Sequence, residues 1–166
     1  MRQRPGFTLT EVLVTAAILA ILAGVAMPMI KVSIQREKET ELRRSLRLVR
    51  DAIDSYKKMA DDQKLDVEDT EETDGYPKSL TVLVEGVKLK AEEKKTDSPL
   101  KSSSGKEKII KFLRRIPIDP MTGTIEWGLR SNQDAPDAIS WGGENVFDIY
   151  SKSRRTALDG TKYADW

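Results

Sequence analysis

The chain of 166 residues contains no cysteine and no histidine. Without cysteine it has no disulfide and no thiolate site for zinc or iron–sulfur clusters. Without histidine it lacks the commonest general base, the Ser-His-Asp relay and the usual zinc ligand, so most hydrolase mechanisms are closed to it. It also lacks a dominant charge: 28 basic residues stand against 27 acidic ones, for a net +1. That balance gives no electrostatic footprint for nucleic acid. Aromatic residues make up only 6% of the chain. The length suits one modest domain, and its first thirty residues are of a different kind from the rest.

A short leader, Met1-Arg2-Gln3-Arg4-Pro5-Gly6, precedes an apolar run that lasts to Ile30. From Val12 to Ile30 no residue is charged. Residues 7–30 would form a helix of about 36 Å, enough to cross a hydrocarbon core of roughly 30 Å. One carboxylate, Glu11, sits inside its start. A charge at the centre of such a segment costs roughly 2.5–3.5 kcal/mol on insertion scales, which makes Glu11 a functional candidate. Pro28 removes a helical hydrogen bond, which membrane helices tolerate when neighbours satisfy the freed carbonyl.

Three readings compete for this segment: a transmembrane anchor, a secretory signal cut near Gly24-Val25-Ala26, and a leader cut before the apolar run so that the helix is kept. Glu11 and the length of the run count against an ordinary signal. Gly6-Phe7-Thr8-Leu9-Thr10-Glu11 followed by about twenty apolar residues resembles the N-terminus of type IV pilins and type II secretion pseudopilins. The resemblance implies cleavage by a prepilin peptidase between Gly6 and Phe7 and methylation of the new Phe7 amine. It further implies that Glu11 pairs with the Phe7 amine of a neighbouring subunit during filament assembly, and that Gly24 and Pro28 soften the helix. Thr10 departs from the commoner isoleucine or valine. The alternative for Glu11 is a merely solvated carboxylate.

The flank after Ile30 is basic: Lys31, Arg36, Lys38, Arg43, Arg44, Arg47 and Arg50, against only Arg2 and Arg4 in the leader. The positive-inside rule would place that flank in the cytoplasm. The resemblance implies the reverse, with the N-terminus cytoplasmic and the body periplasmic, in a single pass through the inner membrane. Leu42, Leu46, Val49, Ile53, Tyr56 and Ala60 step by 4, 3, 4, 3, 4, a helical stripe. No proline or glycine interrupts residues 31–60, so one helix of about 80 Å is expected from Phe7 to about Ala60. The charges off the stripe read as a solvated face.

The expected organisation is a leader (1–6), a membrane and polymerisation helix (7–30), its amphipathic continuation (31–60) and a globular body (61–166). Charged segments 61–74 and 91–108 read as loops. In the body, Ser79 is placed to cap a short helix through Leu83 and Val84. Thr124–Leu129 and Asn145–Tyr150 read as two paired strands. The fold class is α+β: a long N-terminal helix packed on a small antiparallel sheet, pilin-like.

Gly75-Tyr76-Pro77, Ile116-Pro117-Ile118-Asp119-Pro120, Phe147-Asp148-Ile149-Tyr150-Ser151 and the Asp159-Gly160 to Ala164-Asp165-Trp166 tail extend the likeness to the major pseudopilin of type II secretion. That likeness implies a structural calcium ion held by Asp159 and Asp165 with backbone carbonyls near residues 151–153. Calcium takes six to eight oxygens. The tail also holds Lys152 and two arginines, Arg154 and Arg155, whose guanidinium groups could pair with the aspartates instead, so an ion and an ion-paired tail both stay open. The resemblance implies a structural subunit, not an enzyme, of a periplasmic pseudopilus that drives protein export. Its partners would be copies of itself, minor pseudopilins, the inner-membrane assembly platform, the prepilin peptidase and, before assembly, lipid. The alternatives are a type IV pilin of a motility or DNA-uptake pilus and, in another class, a monomeric membrane-anchored or secreted binding domain.

Overall fold

The computed structural model describes residues 6–66, 72–90 and 108–166. Residues 1–5 of the leader, 67–71 of the first charged segment and 91–107 of the second thus fall outside the described residues. The chain divides into two compact units, residues 1–38 and 39–166. Helix α1 covers Leu9–Asp61, so its first thirty residues belong to the first unit and the rest to the second.

In the first unit the apolar side chains of α1 are turned outward. Leu9, Leu13, Leu19, Ile21, Leu22 and Met29 are each more than half exposed. This stretch is long and apolar enough to cross a membrane. A helix apolar on all sides has no folding solution by itself in water, because each apolar Å² left wet forgoes about 25 cal/mol.

The second unit is built on the stripe. Leu42, Leu46, Val49, Ile53, Tyr56 and Ala60 are all buried. They join a core with Leu65, Leu80, Leu83, Leu113, Trp127, Val146, Ile149, Ala157 and Tyr163. Helix α2, Leu80–Glu85, buries Leu80 and Leu83 in that core. Ser79 stands at its N-cap position, yet its hydroxyl meets Thr81 at 2.7 Å and caps nothing. Gly86 ends α2 with φ +91°, and a Cβ there would stand 2.6 Å from the Ile110 carbonyl oxygen.

Two antiparallel pairs complete the unit. Strand β1, Val87–Lys88, pairs with β2, Ile109–Ile110, with Val87 opposite Ile110. Strand β3, Gly128–Arg130, pairs with β4, Asp148–Tyr150, with Leu129 opposite Ile149. The architecture is therefore α+β, with two small antiparallel pieces where one small sheet was expected.

Both expected strands are shorter than their hydrophobic pattern suggested. Thr124 belongs to a turn, its carbonyl accepting from Asp119 N–H at 2.8 Å while Gly123 N–H donates to the Asp119 carbonyl. The Trp127 indole donates to the Pro117 carbonyl at 2.9 Å, so the ring is used to anchor that turn. Asn145 is lost from β4 because its side chain is fully buried and bonded to Ser131, Asn132 and Thr73. Val146 N–H goes to the Pro77 carbonyl.

Gly128 fixes the β3–β4 pair: a Cβ there would collide with the Tyr150 ring, which also stacks with Arg130 and donates its hydroxyl to the Ile139 carbonyl. Replacing Gly128 with Ala is expected to force the ring out and to destabilise the unit by about 1–3 kcal/mol. Urea unfolding of the full chain in detergent, followed by circular dichroism, measures this; an unchanged midpoint would remove that packing role.

Candidate functional site

The implied processing site lies at the open end of the first unit. Gly6 is exposed and Phe7 is 84% exposed. Helix α1 begins only at Leu9, which leaves Gly6, Phe7 and Thr8 outside it. The Thr8 hydroxyl accepts the Glu11 backbone N–H at 3.3 Å, and Val12 N–H donates to the Thr8 carbonyl at 3.2 Å. Thr8 is thus the N-cap of α1, and Thr8-Leu9-Thr10-Glu11 has the order of a capping box. The Glu11 carboxylate sits in the first turn, where it complements the positive end of the helix dipole. Glu11 therefore has a local reason to be there, besides the intersubunit one. The capping signal was present in the sequence, inside a motif read for cleavage, methylation and subunit pairing.

Gly24 and Pro28 both fall within α1. Pro28 has no N–H to give the carbonyl four residues back, which is that of Gly24. Nothing lies within 4 Å of where a Gly24 Cβ would stand. The side chain of Pro28 lies outside the described residues. The sequence here removes one helical hydrogen bond and places one residue with wide conformational freedom.

The other implied site is the tail, in the second unit. Here three charged residues of α1 that read as solvated surface prove to be contacts. Glu39 is buried, 7% exposed. Its Oε1 accepts the Leu158 N–H and the Tyr163 hydroxyl, both at 2.9 Å. Arg50 donates Nε to Asp148 Oδ1 at 2.6 Å and Nη2 to Asp148 Oδ2, the Ile149 carbonyl and the Trp166 backbone oxygen. The Arg43 guanidinium stacks 4.2 Å from the centre of a Trp166 ring and comes within 3.6 Å of Asp159. Trp166 in turn donates its indole N–H to Thr161 and packs edge-on to Tyr163.

These contacts differ in weight. Arg43 and Asp159 are each about half exposed, and solvent-screened pairs of that kind contribute little. Glu39 and Arg50 matter more, because removing a partner from a buried charged hydrogen bond leaves an unsatisfied group. The guanidinium beside Asp159 was expected from Arg154 or Arg155; it comes from Arg43. Both tail arginines are exposed. Lys152 reaches Glu126 at 3.7 Å.

Asp159 Oδ1 accepts both the hydroxyl and the N–H of Thr161, at 2.6 and 2.9 Å. Asp165 lies in the short 3₁₀ turn Tyr163–Asp165. The Ser151 hydroxyl, near the carbonyls expected to help hold an ion, donates to Asp119 Oδ2 at 2.6 Å. Asp119 is itself fully buried, and its other oxygen takes Met121 N–H. Among the described residues no group of three or more carboxylates gathers in a metal-ligating cluster. The donor set is two carboxylates, one of which already serves Thr161 and faces a guanidinium.

The Thr161 hydroxyl and N–H, with Arg43 adding, hold the Asp159 carboxyl below the usual carboxylate range. A depressed folded-state value means that the contribution is present above the unfolded value, about 3.9, and is lost as pH falls through the lower folded one. Exchange of the Thr161 amide is therefore expected to show no opening between pH 5 and 8 and to rise below about pH 4. An NMR exchange titration measures it, and Asp159→Asn should abolish the acid step.

Comparison with known proteins bears on both sites. Residues 1–27 match the prokaryotic N-terminal methylation motif. Over 150 residues, 90% of this chain and 83% of the relative, the chain is 29% identical to the type II secretion system core protein G of Pseudomonas aeruginosa. No solved structure matches the chain. With its Gly6-Phe7 junction before a capped apolar helix, this chain carries a prokaryotic N-terminal methylation motif and is similar, over nine-tenths of its length, to a type II secretion system core protein G.

Proposed function

We propose that the chain is a structural subunit, not an enzyme, of a periplasmic pseudopilus that serves protein export by type II secretion. The observation that carries this reading is the pairing of an N-terminal methylation motif with a body-wide likeness to a secretion core protein. Before assembly the apolar part of α1 sits in the inner membrane as a single pass, with the body in the periplasm. Prepilin peptidase cuts between Gly6 and Phe7 and methylates the Phe7 amine. The apolar surface then moves from lipid into contact with other copies of the chain, and minor pseudopilins and the inner-membrane platform assist assembly.

Glu11 sets the register. In the low dielectric of a helix bundle, its carboxylate and the Phe7 amine of a neighbour attract strongly. The amine exists only after cleavage, so an uncut chain has one half of the pair. Thr8 keeps Phe7 off the helix, which leaves the amine free to reach across. The hydrogen bond that Pro28 cannot give the Gly24 carbonyl leaves the helix a place to yield as it leaves the bilayer.

Two measurements test this. The mass of the protein purified from membranes is expected to start at N-methylated Phe7; a start near Met27 or an intact Met1 refutes the processing. Two substitutions then separate the roles of Glu11. Glu11→Gln keeps a residue able to complete the capping box but removes the charge, whereas Glu11→Ala removes both. If the charge pairs subunits, both variants lose filament yield by about tenfold or more at unchanged membrane level. Retained assembly in Glu11→Gln would reduce Glu11 to a helix cap.

A further inference from the structure

The seam between α1 and the tail is a groove of about 610 Å³. Arg43, Arg47 and Arg50 line it from the helix, and the carboxylate in its lining is Asp159. The tail residues that meet the helix do so through groups that need no bridging cation. Leu158 N–H and the Tyr163 hydroxyl are both donors, and both reach the buried Glu39 carboxylate. The Trp166 backbone oxygen is an acceptor, and it meets Arg50 at 2.8 Å. The negative charge of Asp159 faces Arg43, whose other face stacks on Trp166.

A divalent cation held by Asp159 and Asp165 would need at least two further oxygens even with both carboxylates bidentate, and at Asp159 it would share the groove with three guanidinium groups. Like charges repel, and Asp159 Oδ1 already accepts two hydrogen bonds from Thr161 while Oδ2 faces Arg43. The donor set therefore does not fit calcium.

We propose that the tail closes without a metal ion: Glu39, Arg43 and Arg50 of α1 form a latch that holds residues 158–166, with Arg43 supplying the counter-charge to Asp159. The latch goes beyond the pseudopilus reading and does not rest on it, because every residue in it lies in the second unit. It also states what the chain would require of its surroundings. Closure of the tail, and whatever depends on it, is independent of divalent cations in this protein.

Hydrogen exchange with mass spectrometry on the full chain in detergent tests the proposal. One arm holds calcium at millimolar concentration, the other an excess of chelator. Protection of the peptide covering residues 158–166 is expected to be equal in the two arms. Tyr163→Phe keeps the ring and removes one donor to Glu39, and Arg43→Ala removes the counter-charge and the stack. Each is expected to speed exchange in that peptide, by about tenfold for Tyr163→Phe, while the peptide holding Leu80 and Leu83 stays protected. Calcium-dependent protection in the unaltered chain overturns the proposal. So does unchanged tail protection in both variants. Because neither substitution touches the apolar stripe, a folded core in both is checked by that same Leu80–Leu83 peptide.

Discussion

The second unit depends on one constraint: the buried edge of a helix must be covered. Leu42, Leu46, Val49, Ile53, Tyr56 and Ala60 recur at helical spacing, and the β-strands are too short to make a core among themselves. Two-residue and three-residue strands carry few ladder hydrogen bonds, and pairs of that size are marginal unless something packs on them. Here that something is α1. Trp127, Val146 and Ile149 reach the stripe from around the β3–β4 pair, and Leu80 and Leu83 from α2. The turns between these pieces are set by buried polar groups, chiefly Asp119 and Asn145, each with its hydrogen bonds filled. No buried polar side-chain atom among the described residues lacks a partner.

The first unit obeys the opposite logic. Its residues have the same helical geometry but no stripe, since apolar groups stand on every side. Burial must come from outside the chain; in the function proposed above, lipid and then other helices supply it. A single sequence thus holds a helix whose later part is satisfied by its own fold and whose earlier part cannot be. That division explains why the hydrophobic run and the amphipathic run meet without a break in secondary structure. A change of environment needs no change of backbone.

What the sequence makes legible follows from distance along the chain. The stripe is local, each step three or four residues, so periodicity alone finds it. The capping order of Thr8 and Glu11 is also local, although its meaning was hidden under that of the cleavage motif. The β1–β2 pair was not legible, because two residues on each side are too few to show alternation and twenty residues separate Lys88 from Ile109. Trp127 and Asn145 misled the strand boundaries, since an aromatic and an apolar neighbourhood favour a strand until a turn claims their hydrogen bonds. The contacts of Glu39, Arg43 and Arg50 were the hardest to see. A charged residue on a helix is most often solvated, and nothing near Glu39 in the sequence announces Leu158 or Tyr163.

That separation governs how the protein comes into being. The Glu39 contacts close a loop of 119 residues to Leu158 and 124 to Tyr163, and Arg50 reaches 116 residues to Trp166. Contacts of such span are slow to form, because loop entropy is lost before they return anything. During synthesis the carboxylate of Glu39 emerges long before its donors do. That carboxylate therefore stays in water until nearly the whole body has been made, and its burial is among the last events of folding. A chain that stops short of Leu158 lacks both donors, and the Glu39 carboxylate then has no tail to hold.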